Sequence, residues 1–236
     1  MRNQVLLATA STVAFAGAAN AQPPAPVFSW TGFYVGANLG AAFQHTDVHN
    51  IDDYSPNGSN YTSPFFSSNG AGPSYGAQFG YNYQISQIVV GIEADLSGTN
   101  VSKTFTPPND LLNQCGSSCR VTATNELNFL STVRGRVGVA FNQFMVFGTG
   151  GFAAGKVSNS WGYNFASPFH FEEVRAGYVW GGGVEYMIMP KITLRAEALH
   201  VDLGTTRSTV INNSTSFNTD FRNSANIGRV ALNFVW

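Results

Sequence analysis

The sequence is short of charge. Asp, Glu, Lys and Arg together make up 11% of its 236 residues, against about a quarter in an ordinary globular chain. Twelve basic and thirteen acidic residues leave a formal charge of -1. No field of one sign exists to attract nucleic acid. Cysteine is nearly absent. Cys115 and Cys119 are the only two, which excludes a cysteine-rich metal module or a multi-disulfide scaffold. Beyond Gln22 no uninterrupted apolar run reaches the ~18 residues or more that a spanning helix needs. Glycine (25), phenylalanine (19) and tyrosine (9) are plentiful instead. That composition suits β structure, and it leaves a membrane barrel and a soluble sandwich both open.

The start of the chain bears on location. Arg2 supplies a positive charge, residues 5–18 are apolar or small, and Ala19-Asn20-Ala21 forms a small-residue cleavage site before Gln22. Residues 1–21 therefore read as a secretory signal peptide, to be set aside from the fold. Residues 22–29 (QPPAPVFS) form a proline-rich lead, too stiff for helix and too poor in donors for a sheet. It is expected as a short periplasmic tail. Residues 30–236 are expected to form one domain.

Within that domain hydrophobicity alternates with period two, which is the spacing of a strand and not of a helix. In residues 30–43, Phe33, Val35, Ala37, Leu39, Ala41 and Phe43 share one face, opposite Tyr34, Gly36, Asn38, Gly40 and Ala42. Similar alternation runs through residues 74–84, 88–98, 126–140, 174–187, 191–203 and 222–236. Residues 144–155 read as a further strand whose glycines leave its facing ambiguous. Polar stretches without period lie at 44–72, 99–125, 156–173 and 204–221, and short turns at 85–87, 141–143 and 188–190. Long and short connections thus alternate between eight strands. The expected fold is all-β: an eight-stranded antiparallel transmembrane up-and-down β-barrel with long extracellular loops, short periplasmic turns and both termini at the turn end.

The polar parity of those strands carries Glu93, Asp95, Glu126, Glu185 and Glu197 with Arg134, Arg136, Arg195 and Arg229. Eight strands enclose a lumen just wide enough to be filled by side chains. Ionised groups in such a lumen must be paired, so an interior ion network that plugs the barrel is expected. The alternative is a narrow polar path for small solutes, with inner glycines such as Gly36, Gly80 and Gly183 leaving room for water. A wide pore is excluded, since aqueous channels need about sixteen strands.

Other candidates are weaker. Cys115 and Cys119, after export, are expected to pair as a disulfide that pins the second loop. No histidine or further cysteine completes a metal site beside them. His45 and His49 are candidate haem or metal ligands in the first loop, set against the plainer reading that polar loops contain histidine by chance. His200, with Ser208 not far along the chain, faintly suggests a hydrolase at the membrane rim, but no nucleophile elbow surrounds it. No catalytic residue, cofactor or resident metal is expected. Val230, Leu232, Phe234 and Trp236 give the last strand an apolar stripe ending on an aromatic, an expected signal for membrane insertion.

Several segments carry a resemblance. WTGFYVGANLG at the opening, GTGGFAAG at 148–155, GGGVEY at 181–186, LRAEALHVDLG at 194–204 and the aromatic terminus resemble the small outer-membrane β-barrel surface proteins of alphaproteobacteria. That group includes the opacity-like and haemin-binding-like proteins of the "porin family". The resemblance implies an eight-stranded barrel in the outer membrane of a Gram-negative bacterium, with no catalytic residues. Such proteins more often end on phenylalanine than on Trp236. The expected role is structural and surface-exposed: envelope integrity, adhesion, or display toward host or environment. A narrow solute channel and a haem receptor are the alternatives. Expected partners are outer-membrane lipid and lipopolysaccharide, the barrel-assembly machinery during insertion, and ligands at the loops.

Overall fold

A computed structural model describes residues 28–53, 66–105, 121–163, 166–212 and 215–236. Eight strands follow one another: β1 (Gly32–Asp53), β2 (Phe66–Ile85), β3 (Ile88–Phe105), β4 (Val121–Phe141), β5 (Phe144–Tyr163), β6 (Ala166–Met189), β7 (Ile192–Asn212) and β8 (Thr215–Val235). Each pairs antiparallel with its neighbours, and β8 returns to β1 to close the barrel. Closure removes the two sheet edges that would otherwise expose unpaired backbone to lipid. At the seam Tyr34 faces Val235, Leu39 faces Val230 and Phe43 faces Asn226. Among the described residues no helix is long and apolar enough to cross a membrane; the crossing is made by strands.

The period-two reading assigns the faces correctly. Phe33, Val35, Leu39 and Phe43 of β1 are exposed, whereas Tyr34, Asn38 and Ala42 are buried. The ambiguity of β5 resolves the same way: Phe144, Val146 and Phe152 point out, and Met145, Phe147 and Ala153 point in. Large apolar side chains thus cover the outside, with Leu39 61%, Val137 60% and Phe152 79% exposed to what surrounds the barrel. In water such a belt would be an aggregation surface; in a bilayer it is the lipid-facing band.

Three tight hairpins close one end, at Ser86–Gln87, Asn142–Gln143 and Pro190–Lys191. Ser86 and Asn142 take positive φ, 57° and 56°, a left-handed conformation that asparagine tolerates better than most residues. The third turn sits one residue later than the sequence pattern suggests.

At the other end the strands run further than the alternation does. β1 continues to Asp53 and β8 starts at Thr215, and the same strand pair stays in register from Tyr34 to Asp53, with one irregularity at Asn50/Asp52. Much of the four polar stretches is therefore paired strand. Beyond the membrane both faces meet water, so nothing selects apolar residues on either parity, while backbone pairing continues regardless of side chain.

Candidate functional site

The site is the lumen. Glu93 and Asp95 enter it from β3, Arg134 and Arg136 from β4, Glu185 from β6, Arg195 and Glu197 from β7, and Arg229 from β8. All eight are at most 5% exposed. Their placement follows from register. Glu93 faces Arg134 across β3–β4, Glu185 faces Arg195 across β6–β7, and Glu197 faces Arg229 across β7–β8. Directly opposed residues on one face of an antiparallel pair lie close enough to touch, so three cross-strand pairs put opposite charges side by side.

Longer reaches join those pairs across the lumen. Arg134 pairs with Glu93 and lies 3.0 Å from Asp95 and 2.8 Å from Glu197. Arg229 lies 2.7 Å from Asp95 and 2.8 Å from Glu197. Arg195 pairs with Glu93 and, at 3.0 Å, with Glu185; Arg136 reaches Glu185 at 2.8 Å. Four carboxylates therefore meet four guanidiniums in one connected network, and charge balances within it. An unpaired buried charge costs several kcal/mol, which is the reason for the balance.

Uncharged groups complete the network. The Tyr34 hydroxyl donates to Glu93 at 2.5 Å and accepts from Arg136 at 3.3 Å. Thr193 donates to Glu185 at 2.6 Å, and Asn233 donates to the same carboxylate at 3.0 Å. Gln78 links Asn233 to Asn38, at 2.5 and 2.9 Å. The Arg136 guanidinium stands 4.1 Å from the centre of the Phe147 ring, and that of Arg195 5.3 Å from the Tyr34 ring, both within cation–π range.

The charged layer lies between two apolar layers. Toward the projecting strands, inward residues Val101, Leu130, Val179, Leu199, Val201, Leu203 and Ile227 form a roof with Ala42, Ala153 and Ala225. Toward the hairpins, Trp30, Val89, Ala140, Met145, Phe147 and Met187 form a floor, with Phe28 packed against it. Buried polar side chains such as Ser97 and Thr132 stand beside the roof residues Leu130 and Ala153. The inner glycines are crowded by their neighbours. A Cβ at Gly80 would meet the Tyr34 ring, one at Gly36 the Asn233 side chain, and one at Gly91 that of Asn82. Their space is already occupied, so the expectation that they leave room for water is corrected.

The sequence pattern missed both apolar layers, along with Tyr34, Gln78, Thr193 and Asn233 as network members. A signal for the roof was present. Leu199, Val201 and Leu203 have the parity of Arg195 and Glu197, and Ile227 has that of Arg229, so apolar residues continue on a face already identified as inward.

The remaining candidates divide. The Glu126 side chain lies outside the described residues; its backbone pairs with Ser158 and Ser102. Cys115 and Cys119 also lie outside them. So does the His49 side chain, although its backbone in β1 faces Asp220 of β8. His45 has both ring nitrogens engaged: Nδ1 with Asn69, and Nε2 with Asp47 at 3.0 Å. His200 meets Asn226 at 2.8 Å and lies 5.5 Å from the Trp180 ring. Among the described residues no group of three His, Cys, Asp or Glu side chains is placed to hold a metal. The terminal stripe lies as expected: Val230, Leu232, Phe234 and Trp236 are all exposed. Trp236 stacks with Phe33 and Phe234 at 6.3 and 6.2 Å between ring centres, a contact that spans the β8–β1 seam.

A closed eight-stranded barrel with an apolar exterior and a charged, plugged interior is the architecture of outer-membrane proteins. The family described as "Outer membrane protein beta-barrel domain" matches residues 9–228. The chain belongs to that family. Among its relatives is the "31 kDa outer-membrane immunogenic protein" of Brucella melitensis biotype 1, 32% identical over 199 residues, covering 81% of this chain and 78% of that one. Another is the "22 kDa outer membrane protein" of Rhizobium leguminosarum bv. viciae, 32% identical over 184 residues, covering 76% and 67%. These place the protein in an alphaproteobacterial group and in the Gram-negative outer membrane. Solved barrels are more distant. The Pseudomonas aeruginosa outer membrane protein OprG is 11% identical with a TM-score of 0.49, covering 87% of this chain and 97% of that one. The Escherichia coli outer membrane protease OmpT is 9% identical, also at 0.49, covering 89% and 98%. Neither likeness bears on what this chain does.

Proposed function

We propose that this barrel is a non-enzymatic envelope protein that stabilises the outer membrane and presents its upper strands and loops outside the cell. The observation that carries the reading is the layered lumen: four carboxylates and four guanidiniums, all at most 5% exposed, held between an apolar roof and an apolar floor. A lumen built that way serves rigidity. Work with the surroundings then falls to the outside of the molecule. The upper parts of the strands and the residues between them are rich in Asn, Ser, Thr, Tyr and Phe and poor in charge, a composition suited to contact surfaces. The word "immunogenic" in the name of the Brucella relative belongs to that protein; it supports display as the reading here.

Surface proteolysis of intact cells, with the released peptides mapped by mass, tests the display reading. Release of fragments from residues 54–65 and 106–120, with the short hairpins left intact, is expected. Cleavage confined to the hairpins at Ser86, Asn142 or Pro190 would invert the orientation and overturn the proposal.

A further inference from the structure

The roof and the floor of the lumen are built differently. Every roof residue belongs to one of the eight wall strands, so the roof cannot leave without the barrel opening. The central residue of the floor does not. Trp30 precedes β1, which begins at Gly32, and it reaches the mouth of the barrel on a short strap, Phe28 to Thr31. There it is 2% exposed and packs with Val89, Ala140, Met145, Phe147 and Met187.

The strap is fastened at few points. The Trp30 backbone N–H donates to the Gln84 side chain at 2.9 Å, and the Gln84 N–H donates to the Thr31 hydroxyl at 2.9 Å. The Trp30 indole donates to the carbonyl of Asn142, in the hairpin between β4 and β5, at 3.2 Å. These bonds tie the strap across two hairpin regions. The N–H groups at 28–30 make none of the strand-to-strand ladder bonds that hold the wall.

The lumen itself has polar atoms left over. Asn82 Oδ1, Arg136 Nε and Arg195 Nη2 are buried without a hydrogen-bond partner. Each belongs to a residue at most 5% exposed, and each would be better satisfied by water than by the sealed interior. The detachable part of the lumen's seal is at the hairpin end.

We infer that Trp30 is a stopper, and that release of its strap opens the charged layer of the lumen to the periplasm alone. The barrel is then a vessel with one mouth and not a conduit. The inference rests on the closed-interior reading above, and the two fail separately. Wild-type conductance would sink that reading, whereas the stopper is tested by access to the charged layer.

Thr193 reports on access. It is 0% exposed, hydrogen-bonded to Glu185 and placed next to the hairpin between β6 and β7. In purified, refolded full-length protein with Cys115→Ser and Cys119→Ser, a Thr193→Cys thiol would be exposed to a small cationic methanethiosulfonate. Heat-modifiable gel mobility confirms that each variant is a folded barrel. With Trp30 in place, labelling is expected to be slow. Trp30→Ala is expected to raise the rate by about tenfold or more, as removal of a local closing contact does, and Trp30→Phe to restore most of the protection. In a planar bilayer the Trp30→Ala protein is expected to stay silent, because the roof remains. Equal labelling rates with and without Trp30, fast or slow, would overturn the stopper. Ion-carrying steps from Trp30→Ala in a bilayer where wild type is silent would overturn the single mouth.

Discussion

The same eight strands obey two rules along their length. Below the level of Trp180 and His200 each strand separates two unlike surroundings, lipid outside and a packed lumen inside. Its residues sort by parity accordingly: Val133 and Val137 out, Arg134 and Arg136 in. Beyond the roof residues Val201, Leu203 and Ala225, toward the strand ends, water lies on both sides and parity carries little. Backbone pairing runs through both regions without regard to the change, as the continuous register of β1 against β8 makes plain. Pairing therefore builds the wall, and the difference between its two sides writes the sequence pattern. Where that difference vanishes the strand persists and its signature does not.

The sharpest way to test this contrast is to damage the lower, two-sided region. Arg134→Met removes a cation shared by Glu93, Asp95 and Glu197 and leaves the buried cluster with four carboxylates against three guanidiniums. Removing one member of a buried ionic cluster costs about 3–5 kcal/mol. Urea unfolding in detergent micelles, followed by tryptophan fluorescence, is expected to show a loss of that size. A loss under about 1 kcal/mol would mean that the charges are screened by lumen water and do not depend on one another.

A somewhat smaller effect is expected on the other face of the same strand. Val137 is 60% exposed among apolar neighbours. An arginine at the bilayer midplane costs about 2–4 kcal/mol and much less near the interfaces. Val137→Arg should therefore destabilise the protein in vesicles by an amount in that range. The same substitution without effect would place Val137 outside the lipid band.

The smallest effect is expected toward the far ends of the strands, away from the hairpins. Arg222 lies 3.1 Å from Asp202 with its side chain 61% exposed. Asp202 itself is buried but keeps donors from the Tyr178 hydroxyl and the Gly204 N–H, so Arg222→Ala should lower the urea midpoint only slightly, as for a pair with one partner in water. A midpoint drop matching that of Arg134→Met would erase the distinction between the two regions.

How far the sequence could be read follows the same division. The strand count, the lipid-facing stripe and most ion-network members were legible, because each depended on a two-sided environment or on charge. Glu93, Arg134 and Arg195 stood out as charges on strands otherwise apolar or small. The partners of those charges were harder to find. Tyr34 looked like one aromatic among many, and its bond to Glu93 joins residues 59 apart in sequence, a contact set by register across two strand pairs, since Tyr34 and Glu93 both face Gly80. The roof was hidden by an assumption that the inward face is polar throughout; Leu199, Val201 and Ile227 break it. Trp30 was read as the first residue of a strand because WTGFYV alternates, but its side chain turns into the barrel mouth before the ladder begins. Strand ends above the membrane were missed for the reason already given: water on both sides selects neither parity.

The central claim is that the lumen is closed. Purified full-length protein reconstituted into a planar bilayer in molar potassium chloride tests it most directly. The layered interior predicts a silent trace, with current indistinguishable from protein-free lipid. Discrete, reproducible ion-carrying steps from folded wild-type protein would contradict it.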